Sequence, residues 1–303
     1  MRALVILAML AAPAHAEWRV ETTWKAGSMP WGVIATDGAV LVGHVGYRDR
    51  DNVWRYDLAG RVRARARFPG HVVELARGTD GTLYAGNSRV DRVMALDPVT
   101  LAVRRSYRTG SGPKDLCVDD TRIYAGNFNT NTVSAIDLAT GKEQRITVGA
   151  GPRGLDRVRD KLYVASLRAS TVSVIDTRSL AVTATIRGCK GAAHTAVTPD
   201  GALLLVTCYG ARHVQVIDTA TDRAVRMIEV GAGPNPIALT PDGTQALVAN
   251  EFADSLSTID LATWSVATMP LPIDRPVGVT VAPDGKRAYA TGRGSTRIVV
   301  LAR

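Results

Sequence analysis

The feature that most limits what this chain can fold into is a repeat of about forty residues. A short apolar strand ending in aspartate recurs at 53–57, 93–97, 133–137, 172–176, 214–218 and 256–260. The closing residues Asp57, Asp97, Asp137, Asp176, Asp218 and Asp260 stand 40, 40, 39, 42 and 42 residues apart. A seventh copy at 298–302 keeps the interval but has lost its acid. A second marker shares the period: turns at Asp37-Gly38, Asp80-Gly81, Asp119-Asp120, Arg159-Asp160, Asp200-Gly201, Asp242-Gly243 and Asp284-Gly285. Each joins two apolar runs, as the turn of a β-hairpin does.

Every copy therefore reads as four strands: one before the Asp-Gly turn, one after it (83–87 or 246–250), the Asp-terminated strand, and an outer strand such as 181–186. The Asp-x-x-Thr/Ser link to the outer strand, with Thr100, Thr140, Ser179, Thr221 and Thr263, suits a turn held by side-chain hydrogen bonds. No segment of ten residues keeps a helical period. A four-stranded sheet of this size cannot cover both its faces, so the copies must pack face to face around an axis. The expectation is an all-β, seven-bladed propeller of four-stranded antiparallel blades. The seventh copy lacks an outer strand, while 18–24 is an orphan strand ahead of the first copy. It is expected to complete the last blade and close the ring.

Residues 1–16 have the form of a cleaved signal peptide: Arg2, an apolar run over 3–12, and the small-x-small sequence Ala14-His15-Ala16. The expected organisation is a leader followed by one propeller domain over 17–303, with no transmembrane segment in the mature chain and a periplasmic location. An apolar fraction of 46% spread along the chain excludes disorder, and three cysteines cannot carry a disulfide scaffold. Removing Arg2 leaves 36 basic against 28 acidic residues, a balance that favours anionic partners. The densest basic stretch, Arg61-Val-Arg-Ala-Arg-Ala-Arg67, places its arginines on one face of a strand, as a solvent-facing outer strand would.

Over essentially the whole mature chain the repeat resembles the YVTN family of seven-bladed propellers. The stretches that carry the likeness are Gly231-Ala-Gly-Pro-Asn-Pro-Ile-Ala-Leu-Thr-Pro-Asp-Gly243, Ala246-Leu-Val-Ala-Asn250 and Thr171-Val-Ser-Val-Ile-Asp176. The resemblance implies the fold and little of the function. Such relatives include envelope and surface proteins, DNA-binding periplasmic propellers, heme-biogenesis proteins and, more distantly, lactonases and lyases.

Function in a propeller sits at the channel mouth, where the links into each first strand and out of each second strand open together. Second strands end at His44, Asn87, Asn127, Ser166, Cys208, Asn250 and Gly292. The asparagines Asn87, Asn127 and Asn250 can also serve as loop caps. First strands begin near Gly32, Glu74, Asp115, Gly154, His194, Pro236 and Gly278, where Glu74, Asp115 and His194 are the ionisable members. Trp31, Arg168 and Arg293, with Arg89, Phe128, Tyr209 and Phe252, add a collar of arginines and aromatics suited to a planar anion or to stacked bases. The charged loop Tyr47-Arg-Asp-Arg-Asp51 lies on the same face.

Cys189, Cys208 and His194 should share one rim. Two uses compete: a Cys189–Cys208 disulfide, or a thiolate and imidazole metal site of His194, Cys208 and Cys189, whose spacing matches no standard zinc pattern. Cys117 reads as a buried small residue. The sequence favours a binding or accessory role: a mouth holding an anionic small molecule, a heme-like cofactor or a periplasmic protein. A metal-dependent lactonase- or lyase-like enzyme and single-stranded nucleic-acid binding are the alternatives. Nothing in the sequence specifies a cofactor.

Overall fold

The computed structural model describes residues 17–45 and 52–303. The leader and the loop at 47–51 lie outside the described residues. Seven four-stranded antiparallel sheets follow one another around an axis. Blade 1 consists of Pro30–Ala35, Val40–His44, Val53–Tyr56 and Val62–Ala66, from the axis outward. Blades 2 to 6 repeat this order, with inner strands Val72–Arg77, Pro113–Val118, Pro152–Val158, Ala192–Val197 and Pro234–Leu239. Blade 7 takes Pro276–Val281, Arg287–Gly292 and Arg297–Ala302, and Arg19–Lys25 as its outer strand. That outer strand pairs antiparallel with Arg297–Ala302, Lys25 opposite Arg297 and Arg19 opposite Ala302. The ring is closed by its two ends.

Each blade face meets the next in one apolar cluster, which makes seven clusters for seven interfaces. Between blades 4 and 5, for example, Tyr163, Val172 and Val174 pack on Leu204, Val206 and Ile217. Trp24 of the closing strand is buried with Tyr56, Tyr289 and Ile298. The strand therefore contributes to the interface between blades 7 and 1 as well as to its own sheet. Outer strands are largely exposed, as in blade 5 over Arg223–Glu229.

The recurring acids hold the outermost turns. Asp137, Asp176, Asp218 and Asp260 each accept from a backbone N–H three residues on and from the Thr or Ser hydroxyl there, at 2.7–2.9 Å. Those bonds hold the Asp137, Asp176 and Asp218 carboxyls below the usual range. The Arg61–Arg67 stretch is the expected solvent face: Arg63 pairs with Asp57 at 2.6 Å and Arg65 lies over Trp54 at 4.0 Å.

The seven inner strands contact one another in a closed ring. Their approach is tightest where a Cβ cannot fit. A Cβ on Gly154 would lie 2.5 Å from the Ala193 carbonyl oxygen, and one on Gly278 would collide with the Trp31 carbonyl oxygen. Replacing Gly154 by valine should therefore cost about 3 kcal/mol of unfolding free energy, because the overpacked side chain meets backbone that cannot move aside. A Cβ on Gly38, at the first Asp-Gly turn, meets nothing within 4 Å. G38V should leave the denaturation midpoint within error of the parent, and the pair can be compared by urea titration.

Candidate functional site

Six of the seven inner strands are entered through a residue with positive φ: Met29, Gly112, Gly151, Gly191, Gly233 and Arg275, at 50–70°. Just after this entry the register between first and second strands slips in all seven blades, for instance between Pro113 and Leu116 and between Pro152 and Gly154. A bulge of this kind re-aims side chains at the end of a sheet. The second residue of three of these strands, Trp31, Lys114 and Arg153, lines the mouth of the channel. A second tier comes from the residue that follows the end of the second strand: Phe128, Tyr209, Glu251 and Arg293. With His194 they enclose a pocket of about 180 Å³.

Four nitrogen bases and one carboxylate share this space. Glu251 is committed: Arg293 pairs with it at 2.5 Å and the Asn235 amide donates to it at 2.8 Å. Among the described residues, Lys114 and Arg153 form no ion pair within 4 Å and no hydrogen bond; each lies over a ring face, and the Glu251 and Asp115 charges act on Arg153 only from a distance. The Lys114 ammonium lies 6.0 Å from the Trp31 ring centre and the Arg153 guanidinium 5.6 Å from that of Tyr209. Burial draws both cations below their ordinary pKa values. His194 is pushed down to about 3, first by burial and then by Arg153, so its imidazole is neutral. Burial and the Glu251 charge hold the Tyr209 phenol up.

Carboxyls stand along the channel on three successive inner strands. Asp115 accepts from the N–H groups of Leu116 and Leu155, both at 2.7 Å, and Glu74 from that of Leu75 at 3.1 Å. Each keeps a face on the channel, yet protein surrounds it. Burial lifts Asp115 to about 7, and burial with the Asp115 charge lifts Asp156 to about 8 and Glu74 well above the carboxylate range. Cys117, expected to be buried, is half-buried beside them as a free thiol, and burial pushes it far up.

Of the residues singled out from sequence, Trp31, Phe128, His194, Tyr209 and Arg293 meet in the pocket. Glu74 and Asp115 line the channel without entering the pocket. Arg168 stays on the rim, 4.3 Å over the Phe128 ring. Four others are corrected. His44 is 2% exposed; its Nε2 accepts from the Gly27 N–H at 3.2 Å and its ring packs on Trp54. Asn87, Asn127 and Asn250 are fully buried. Asn87 accepts from His71 N, Asn127 donates to Thr132 and Ser134, and Asn250 to Ser255 and Ser257. All four are rim caps turned into the blade, because the end of a second strand must satisfy the loop that crosses it. Lys114, Arg153, Glu251 and Asp156 went unrecognised in the sequence.

Cys189 and Cys208 are joined in a disulfide. Neither sulfur is then a thiolate, so the pair cannot serve with His194 as metal ligands. Among the described residues, no three His, Cys, Asp or Glu side chains converge to hold a metal ion. No helix there is long and apolar enough to cross a membrane.

Residues 64–241 match the family model of the YNCE-like beta-propellers, more than half of the chain, and the protein belongs to that family. No curated protein matches the sequence. Solved structures share the frame almost end to end. Virginiamycin B lyase from Staphylococcus aureus superposes with a TM-score of 0.82 at 14% identity, covering 95% of this chain and 100% of that one. The WD40 propeller domain of Doa1 gives 0.81 at 15%, covering 95% and 98%. A streptogramin B lyase gives 0.81 at 14%, covering 94% and 97%. At such identities the likeness is one of fold. It nevertheless corrects the expectation that set catalysis aside, since two lyases are built on this frame.

The channel carboxyls make stability depend on pH in a set direction. Asp156, near 8 when folded against about 3.9 unfolded, keeps a proton that the unfolded chain has lost throughout that interval. Stability therefore falls as pH rises from about 4 towards 8. The turn aspartates act oppositely, being held low when folded, and their contribution is lost as pH drops below about 4. Denaturant midpoints should peak near pH 4–5. D156N should flatten the alkaline slope and add about 2 kcal/mol at pH 8. A tenfold change in proton affinity is worth roughly 1.4 kcal/mol, and solvent in the channel screens part of the full effect.

Proposed function

We propose that this member of the YNCE-like family is an exported enzyme of lyase type, acting at the channel mouth on a small anion with a planar group. The observation that carries the proposal is the pair Lys114 and Arg153, two desolvated cations on neighbouring blades with no ion-pair partner. Charge that is half-buried without an ion-pair partner carries a desolvation cost, and a bound anion offsets part of it. Trp31, Phe128 and Tyr209 provide ring faces around it, and about 180 Å³ suits a small molecule rather than a chain.

The chemistry follows from protonation states. Lys114 and Arg153 hold the substrate carboxylate and stabilise negative charge developing on it. His194 is neutral and can take a proton from the adjacent carbon. That C–H electron pair becomes the new C=C bond, and the bond to the leaving oxygen breaks with its electron pair. Tyr209 lies within the same pocket and gives the leaving oxygen its proton. The His194 proton then returns to the phenolate through solvent. The proton transfers to and from the substrate use side chains of the pocket. The disulfide supports an oxidising compartment, in keeping with the leader-like residues 1–16.

Quenching of Trp31 fluorescence by phthalate, benzoate and benzyl alcohol tests the binding step. Phthalate should bind best and the neutral alcohol not at all, with R153M and K114M each weakening phthalate by about tenfold or more. Catalysis is read separately, by screening β-acyloxy carboxylates for the absorbance of a new conjugated alkene; H194A should remove it. Equal binding of acid and alcohol would sink the anion site.

A further inference from the structure

In blades 3 and 6 the rim is locked by one recurring contact. Gly110 and Gly231 each stand three residues before the inner strand, and each packs directly on the asparagine that ends the second strand. A Cβ on Gly110 would lie 2.6 Å from Asn127 Nδ2, and one on Gly231 would collide with the Asn250 amide. The same asparagines donate to Thr132 and Ser134, or to Ser255 and Ser257, at the start of the third strand. Ser134 and Ser257 in turn accept from the Gly110 and Gly231 N–H groups. Glycine, amide and hydroxyl thus form a closed cap.

Blade 5 places different residues at each of these positions. Cys189 stands three residues before the inner strand Ala192–Val197, and Cys208 ends the second strand, opposite His213 as Asn127 is opposite Thr132. The hydroxyl position carries Gln215, whose amide donates to the Arg187 carbonyl at 3.0 Å. The bond between Cys189 and Cys208 therefore occupies the place of the hydrogen-bonded cap, and both sulfurs are buried, at 1% and 0% exposure.

What hangs from this bond is one wall of the pocket. Tyr209 follows Cys208 directly, and its N–H donates to the Gly191 carbonyl at 2.9 Å, while the Gly210 N–H donates to the Lys190 carbonyl at 3.0 Å. The loop 189–191 and the loop 208–210 are thereby laced together above the disulfide. Two residues past the inner strand's start, the His194 N–H donates to Thr207 Oγ1, the hydroxyl that also donates to the Asn235 carbonyl. Tyr209 and His194, the two proton-handling groups of the proposed site, thus sit on segments whose separation the disulfide sets.

We infer that the Cys189–Cys208 disulfide positions Tyr209 and His194, in place of the hydrogen-bonded cap used by blades 3 and 6. As a statement about catalysis, this rests on the mouth being the active site. As a statement about order at the rim, it stands without that premise. Three proteins decide it: wild type, C189A/C208A, and C189G/C208N/H213T/Q215S, which transplants the cap of blade 3. Amide hydrogen exchange at Gly191, Tyr209 and Gly210 reports positioning directly, and phthalate affinity reports the pocket.

In C189A/C208A, exchange at those three amides should rise while the strands of blades 1–3 and 7 stay protected, and phthalate affinity should fall by at least about tenfold. The transplanted cap should restore both without any sulfur. Unchanged exchange in C189A/C208A would overturn the inference, as would unchanged affinity in a protein whose wild type binds phthalate. If wild type binds no anion, the proposed function fails, and the exchange data alone decide whether the disulfide orders the rim. Global loss of protection in C189A/C208A leaves the decision to the transplant, which supports positioning only if rim protection and, where present, affinity return.

Discussion

The crowding of seven strands around one axis is the constraint from which the other features follow. No blade can cover its own faces, so each exists only by lying against two neighbours, and the inner strands come close enough that Gly154 and Gly278 leave no room for a Cβ. A ring of this kind has no stable open form with one bare face at each end, which is why the outer strand of blade 7 comes from Arg19–Lys25 and brings Trp24 into the seam. Crowding also limits where chemistry can sit. Where the strands nearly touch, only small residues fit; where the bulges spread the rim, long side chains turn inward.

The axis is electrically graded. Cations crowd the mouth, and carboxyls that hold their protons line the channel on blades 2, 3 and 4. Neither group is placed for stability: burial disfavours the charged form of each, and for Lys114 and Arg153 no ion pair within the described chain compensates. Titratable groups shifted by desolvation and gathered at one end of an otherwise apolar ring are common at ligand sites.

The blades were legible in the sequence to within a residue or two because two independent markers, the turn acid and the Asp-Gly hairpin, repeat with one period and bracket every strand. Closure was legible from the missing outer strand. The site was legible only by blade. Alternation along a strand predicts which side chains face one way, but the bulge at the start of every inner strand breaks that alternation. It brings Trp31, Lys114 and Arg153 to the mouth, one position before the column containing Gly32, Asp115 and Gly154. At the end of the second strand, likewise, the cap residue turns in and its successor turns out. His44, Asn127 and Asn250 therefore turn away from the mouth, while their loop neighbours Phe128, which the sequence did single out, and Glu251, which it did not, line it.

The backbone repeats sevenfold, but the charge does not, and that asymmetry bears on where the proposed anion would lie. Arg293 of blade 7 is neutralised by Glu251 of blade 6, so that side of the mouth carries little net field. Lys114 and Arg153 belong to blades 3 and 4, next to each other, and no ion pair cancels them. The proposed anion would then lie off the axis, against blades 3 and 4, with Phe128 of blade 3 and Tyr209 of blade 5 as the flanking rings and His194 of blade 5 within the same pocket. A carboxylate held there would favour the charged form of His194, whose pKa is low because it is buried beside a cation. In the proposed reaction the base would be weak before the substrate arrives and stronger once it is bound, so the anion that fills the pocket would also prepare the group that acts on it.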